Sequence, residues 1–181
     1  MKKLLKMLLM AVTALCLALP AAAAEAATIA LLPLVNTISD DLAGQVYYKE
    51  ALAIINSRPG YLTVENEELT AAITAAGLPG RMPTESELAA IAAKGHVDIV
   101  IGFELDKLKS KTRRSTEERV LILDLQGKAF SYNALTGLYT NRTIKPSLKV
   151  PEATTSRFDW RHEEWGRQVR LETARILDGK K

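Results

Sequence analysis

The sequence of 181 residues is poor in the side chains that most often bind transition metals. It has one cysteine, Cys16, and two histidines, His96 and His162. Because Cys16 falls in an N-terminal segment that we expect to be removed, the mature chain would have no thiol for a disulfide, a metal or a substrate. We expect His96 at a surface turn and His162 on a solvated helix face, where two separate histidines make a poor zinc site. The sequence therefore predicts no metal and no cofactor.

The N-terminal segment, residues 1–26, is predicted to be a secretory signal peptide. Lysines near the start are followed by an apolar region over residues 7–19 and by an alanine-rich stretch that suits signal peptidase. The apolar region is shorter than the roughly 20 residues that a membrane-spanning helix needs. A lipid anchor on Cys16 would require a small residue before it, where the sequence has Leu15. We therefore expect an exported, soluble periplasmic protein without a lipid anchor.

We also expect the mature chain to have no excess of positive or negative charge. The formal net charge of +3 comes from 24 lysines and arginines against 21 aspartates and glutamates. Three of the lysines precede the apolar region, so a cut after Ala24 would leave 21 basic and 21 acidic residues. A neutral mature chain gives no electrostatic reason to bind nucleic acid, and we expect no such partner.

Motifs that would indicate an enzyme do not occur either. The sequence contains no G-x-S-x-G, no P-loop and no G-x-G-x-x-G. Adjacent carboxylates occur at Asp40-Asp41 and at Glu67-Glu68, but both pairs begin predicted helices, where negative charge suits the helix dipole. We therefore predict no catalytic residue. A periplasmic hydrolase with a carboxylate site is the alternative.

The hydrophobic pattern predicts one α+β domain over residues 27–177, with a frayed tail at 178–181. The element order is β-α-β-α-α-β-β-β-α, in which parallel crossovers open a mixed sheet and an antiparallel meander closes it. Helix starts are indicated by Ser39-Asp40-Asp41, which offers a cap and an acidic first turn, and by caps at Asn66 and Thr84. The predicted strands cover residues 28–36, 61–65, 97–105, 119–132 and 138–144, and the last helix covers residues 158–177.

The run from Val97 to Leu105 is the centre of this prediction. Valine and isoleucine dominate its first half, which is typical of a strand buried on both faces. After Gly102 the residues alternate between apolar and acidic, which predicts that one face of the strand becomes solvated. The strand should pair with the first strand, which Pro33 is expected to end or bulge.

Four motifs in this order resemble the CsgG-like proteins and the TolB amino-terminal domain: residues 29–34 (IALLPL), 61–65 (YLTVE) followed by Glu68-Leu69, 92–102 (AAKGHVDIVIG) and 133–137 (NALTG). The resemblance covers roughly residues 28–145. It implies a bacterial envelope protein without enzymatic activity, of a kind that binds other envelope proteins or assembles into rings. A homo-oligomer is one expectation of the resemblance.

Two groups of residues are candidates for binding a partner. A basic run follows the central strand and is predicted at a hairpin tip, where it would meet an anionic lipid or polymer surface or an acidic protein. The alternative is a solvated loop that protects the strand edges. Trp160 and Trp165 in the last helix are predicted to cover the sheet, with a docking surface as the alternative. The basic run consists of Lys107, Lys109, Lys111, Arg113 and Arg114.

The function predicted from these features is that of a non-catalytic periplasmic interaction or assembly module. An envelope protein is the expected partner. The alternatives are a binder of an anionic lipid or envelope polymer through the basic run, and the hydrolase named above.

Overall fold

The structure is a computed structural model that describes residues 26–114, 119–151 and 160–179. Residues 1–25, with most of the predicted signal peptide and Cys16, lie outside the described residues. The strands are β1 (Ala27–Leu31), β2 (Val35–Asn36), β3 (Tyr61–Thr63), β4 (Ile99–Arg114), β5 (Arg119–Asn133), β6 (Leu138–Ile144) and β7 (Lys149–Pro151). The helices are α1 (Asp41–Asn56), α2 (Glu67–Ala75), α3 (Glu85–Gly95) and α4 (Trp160–Leu177).

The sheet has the strand order β3-β1-β4-β5-β6, with β2 paired to β4 and β7 paired to β5. Strand β1 runs parallel to β3 and β4, and β5 runs antiparallel to β4, which confirms the predicted mixed α+β fold. Ile99 and Val100 are 5% and 0% exposed, so the predicted position of this run at the buried centre is also confirmed. The first predicted strand is divided into β1 and β2 around Pro33, which has no N–H for the ladder.

One face of the sheet packs against α1 and α4 through an aromatic cluster. The ring of Phe103 lies 5.2 Å from that of Tyr47 and 6.0 Å from that of Trp165, the second contact being edge-to-face. Both polar atoms of the cluster have partners. The Trp165 Nε1–H donates to the Ala43 carbonyl at 3.0 Å, and the Tyr47 hydroxyl donates to the Leu32 carbonyl at 2.8 Å. The cluster therefore fixes both helices on the sheet without leaving a buried donor unsatisfied.

The opposite face packs against α2 and α3. Phe130 and Val100 from the sheet meet Leu88 and Ile91 from α3 in a second core. At the end of α3, a Cβ on Gly95 would come within 2.7 Å of a methyl of Leu69, so the glycine allows the two helices to approach closely. The crossovers after β1 and after β3 thus cover opposite faces of the sheet.

The predicted caps of the first three helices are confirmed. Asp40, Asn66 and Thr84 each accept a backbone N–H of the first turn, and Thr84 forms a complete capping box with Glu87. At the other end of α3, Gly95 is the last helical residue and lies inside the helix contact described above. His96 is the C-cap, in a left-handed conformation with φ of 52°.

The capping box predicts a pH dependence of stability. Hydrogen bonds from Arg81, then from the Thr84 backbone N–H and hydroxyl, lower the pKa of Glu87 to about 2 from an ordinary 4.5. The contribution of the Glu87 carboxylate to the stability of the fold is fully present above its pKa in the unfolded chain. This contribution is lost as the pH falls from about 4.5 towards 2. We expect Glu87→Gln to reduce the slope of melting temperature against pH in this window. Glu85→Gln, in the same turn, is the control, and equal slopes for wild type and Glu87→Gln would contradict the prediction.

Candidate interaction surface

The basic run lies within a strand and not in a loop. β4 continues to Arg114 and pairs with β5 along its whole length, from Ile99 opposite Asn133 to Arg114 opposite Arg119. The predicted hairpin-tip loop was therefore wrong over residues 107–114. The charged residues occupy every second position of the run. The residues between them lie on the same face as the leucines of β5, and the pairing of β4 with β5 holds the run in the sheet.

A register shift between Leu105 and Lys107 decides which way the basic side chains point. Leu105 and Leu108 both belong to the core under α1 and α4, although side chains three apart on a regular strand face opposite ways. The extra residue, Asp106, makes a bulge that restores Leu108 to the core face. Without the bulge, Lys107 would follow Leu105 into the core.

We define the basic face as Lys107, Lys109, Lys111 and Arg113, the alternate residues of β4 on the side away from Leu108. Lys109, Lys111 and Arg113 are exposed, and Lys107 is half-buried. The four cations lie over the β5 side chains opposite them, which include half-buried Ile122. The hydrocarbon stems of lysine and arginine pack on apolar side chains such as Ile122, while their charges stay in water.

One carboxylate, Asp124, lies under the basic face. It is opposite Lys109 and accepts ion pairs from Lys107 at 2.7 Å and from Lys111 at 3.2 Å. The hydrogen bond from Lys107, supported by Lys111, lowers the pKa of Asp124. Within the described ranges, Lys109 and Arg113 have no ion pair. Four cations thus share one carboxylate, and the face keeps an excess of positive charge.

Towards the core the same face is neutral. Lys128 of β5 donates to Glu104 of β4 at 2.6 Å, and this hydrogen bond raises the pKa of Lys128. Glu104 is 9% exposed, so the prediction that it lies on a solvated face was wrong. Lys128 lies directly opposite Glu104 on the neighbouring strand, and its positive charge compensates the charge of the Glu104 carboxylate. The solvated part of β4 therefore begins after the bulge.

The other candidates are divided by burial. Trp165 is 0% exposed and belongs to the core, which removes it as a docking residue. Trp160 is half-buried and packs at the border of the same core. The Arg114 side chain lies outside the described residues, as do residues 115–118 that connect β4 to β5. Of the predicted binding residues, the four β4 cations of the basic face remain the candidates for binding a partner.

A partly buried acid–imidazole pair joins the starts of α1 and α4. Asp40 accepts the Ala43 N–H at 3.0 Å and lies 2.9 Å from Nε2 of His162. His162 is 8% exposed, so the predicted solvated helix face was wrong. The partners are 122 positions apart in the chain, too far for any local pattern to indicate them. Asp40 both caps a helix and pairs across the helix interface, which favours its structural interpretation.

The next turns of α4 are polar and yet buried. Glu164, Gln168 and Glu172 are 6%, 9% and 5% exposed. Burial by itself would raise the pKa of Glu164, but hydrogen bonds from Arg167 and Gln168 lower it. Leu171 of the same helix is 39% exposed. At its end α4 is held by an ion pair between Asp178 and Arg58, so the predicted frayed tail does not include Asp178.

Among the described helices, none has the length and apolar composition to cross a membrane. The described part of the chain also contains no group of three or more side chains placed to hold a metal ion.

No protein-family model matches the sequence, and no curated protein matches it. Among solved structures, the hypothetical protein CT253 from Chlamydia trachomatis has a TM-score of 0.52 at 12% identity, covering 83% of this chain and 97% of its own. Lipoprotein GNA1162 from Neisseria meningitidis has a TM-score of 0.43 at 13% identity, covering 84% and 99%. The PelC dodecamer from Paraburkholderia phytofirmans has a TM-score of 0.43 at 10% identity, covering 86% and 89%.

The first of these likenesses shows that the fold recurs in the protein from Chlamydia trachomatis, and at 12% identity it shows the fold alone. None of the three structures named above is described as a CsgG-like or TolB-like protein. The resemblance of the sequence motifs to those two groups stays a prediction.

Proposed function

We propose that this protein is a non-catalytic interaction module of the bacterial cell envelope, and that it binds an acidic segment of an envelope protein through the basic face. The observation that carries the proposal is the bulge at Asp106, which sorts the residues of one strand into a core-facing leucine and four solvent-facing cations. Support for the compartment comes from the predicted signal peptide, and support for the class comes from the resemblance of four motifs.

The geometry suits a linear array of carboxylates. Alternate residues of a strand are about 6.6 Å apart, so the basic face extends for about 20 Å from Lys107 to Arg113. An extended acidic segment presents its alternate side chains with the same period. Asp124 orients Lys107 and Lys111, which limits the side-chain entropy lost on binding.

A charge-matched pair of variants tests this proposal. Replacing Lys109, Lys111 and Arg113 by Ser should weaken binding of a hexaglutamate peptide at least tenfold. The melting temperature should change by less than about 2 °C, because exposed charges contribute little to stability. The control replaces exposed Lys49, Lys94 and Lys145 by Ser, which changes the net charge equally. Fluorescence anisotropy of a labelled peptide gives both affinities.

Salt and lipid titrations complete the test. Binding by the wild type should weaken as the ionic strength rises, since exposed charges are screened. Equal loss of peptide binding in the two triple variants would show that net charge and not the basic face is responsible, and would contradict the proposal. Tighter binding to vesicles of anionic lipid than to hexaglutamate would assign the basic face to a lipid surface.

A further inference from the structure

A cleft of about 290 Å³ opens at the carboxyl ends of β1 and β3. The chain leaves β1 towards α1 on one face of the sheet and leaves β3 towards α2 on the other, so the two exits diverge and leave a crevice between them. In open sheets with parallel strands, such a switch point is where ligands bind. The volume lies near the lower limit for small-molecule sites, which is about 300 Å³. The cleft is far in sequence from the basic face and shares no residue with it.

The walls of the cleft are mainly apolar. Leu31 is the last residue of β1, Val64 follows β3, and Ile73 and Leu78 come from α2 and the turn after it. None of these four side chains is fully buried, so each keeps apolar area available for a ligand. An apolar chain that displaces water from these walls would gain affinity by burial alone, at about 25 cal/mol per Å² of apolar area.

A carboxylate without a cationic partner stands beside these walls. Glu65 lines the cleft and accepts a hydrogen bond from the hydroxyl of Tyr48, which is 41% exposed. Some carboxylates elsewhere pair with cations, as Glu50 does with Arg170 at 2.6 Å. Within the described residues, no lysine or arginine lies within ion-pair distance of Glu65. The hydrogen bond holds one carboxylate oxygen in place and leaves the other to a ligand.

Glu65 is the only charged residue among the described residues that line the cleft. Glu67 and Glu68, in the first turn of α2, follow it closely in the chain. The Tyr48 hydroxyl donates to Glu65, and this hydrogen bond raises the pKa of Tyr48. An anionic ligand would be repelled by Glu65, and a neutral one would leave its charge uncompensated.

We propose that this cleft binds a small aliphatic amine, with the ammonium group on Glu65 and the hydrocarbon chain along Leu31, Ile73 and Leu78. The ammonium donates to the free carboxylate oxygen, and the chain length that fits is set by the depth between the two diverging crossovers. This is a binding site for a small molecule, independent of the protein partner proposed for the basic face.

Three ligands of equal chain length distinguish the contribution of charge to the affinity from that of apolar burial. Hexylamine should bind with a Kd on the order of 1 mM and shift the ¹H–¹⁵N signals of residues around the cleft in a saturable way. 1-Hexanol should bind at least tenfold more weakly, and hexanoate should not bind. Equal affinity for hexylamine and 1-hexanol, or no saturable shift with hexylamine, would overturn the proposal.

Variants and a peptide locate the ammonium group. Glu65→Gln should weaken hexylamine binding at least tenfold, because it removes the charge at an exposed position where folding is not at risk. Glu68→Gln, with the same charge change outside the cleft lining, should leave the Kd within twofold. Equal effects of the two variants would overturn the assignment of Glu65. The peptide Ala-Lys-Ala should bind more weakly than hexylamine, and tighter binding would assign the cleft to a lysine side chain.

Discussion

Replacing Ile99 by aspartate should unfold the protein. Ile99 pairs with Ile29 on one side and with Asn133 on the other, and it is 5% exposed. A carboxylate there would enter the core under α1 and α4, among the apolar side chains of that cluster. A buried, unpaired charge costs several kcal/mol, which is a large part of the 5–15 kcal/mol of stability of a typical domain. We expect no cooperative transition on heating and no near-ultraviolet circular dichroism from Trp165.

The matched control for this prediction is Leu62→Asp. Leu62 belongs to the edge strand β3 and is 58% exposed, so the same change of side chain leaves its charge in water. The melting temperature of this variant should stay within a few degrees of the wild type. A cooperatively folded Ile99→Asp protein with a similar melting temperature would show that the position is not the buried centre of the sheet.

Replacing Gly127 by alanine should have the second-largest effect, because it disturbs the bulge. Gly127 lies opposite Leu105, directly beside the register shift. A Cβ there would come within 2.4 Å of the carbonyl oxygen of Glu104, a backbone atom that cannot rotate away. Overpacking of this kind costs about 1–3 kcal/mol, and we expect the upper end because two paired strands must separate. Urea denaturation with an unchanged m-value measures the loss of stability.

Gly44→Ala is the control for the glycine substitution. Gly44 is inside α1, and a Cβ there has no heavy atom within 4 Å. Alanine is the better helix former by about 1 kcal/mol, so this variant should be slightly more stable than the wild type. Hexaglutamate binding adds a second readout, since a shifted bulge in Gly127→Ala would also turn the basic face. Unchanged stability and binding in Gly127→Ala would contradict the role given to the bulge.

The sequence predicted the features that depend on local chemistry. The buried run of valines and isoleucines and the helix starts at Asp40, Asn66 and Thr84 follow from residue type and spacing, and the structure contains each of them. The parallel pairing of β1 with β4 also followed, because two continuous apolar runs have to share the centre of a sheet.

The features that depend on distant contacts were not predicted. The strand character of the basic run comes from pairing with the leucines of β5, and its own composition of lysine and arginine gives no β propensity. The Asp40–His162 pair and the buried polar face of α4 arise from helix packing across more than a hundred residues. The cleft was missed for the same reason. Its place can be inferred once each helix is assigned to a face of the sheet, because the chain leaves β1 and β3 towards opposite faces.

The bulge at Asp106 also limits how this part of the protein can change in length during evolution. Beyond the bulge, each inserted or deleted residue in β4 exchanges the inner and outer sides of everything that follows. A single loss would turn Lys109 towards the core side of the strand and Leu108 towards the solvent, whereas the loss of two residues would keep the alternation. The arm formed by β4 and β5 can therefore vary in steps of two residues, while point substitutions on its outer side are free to retune which partner it recognises.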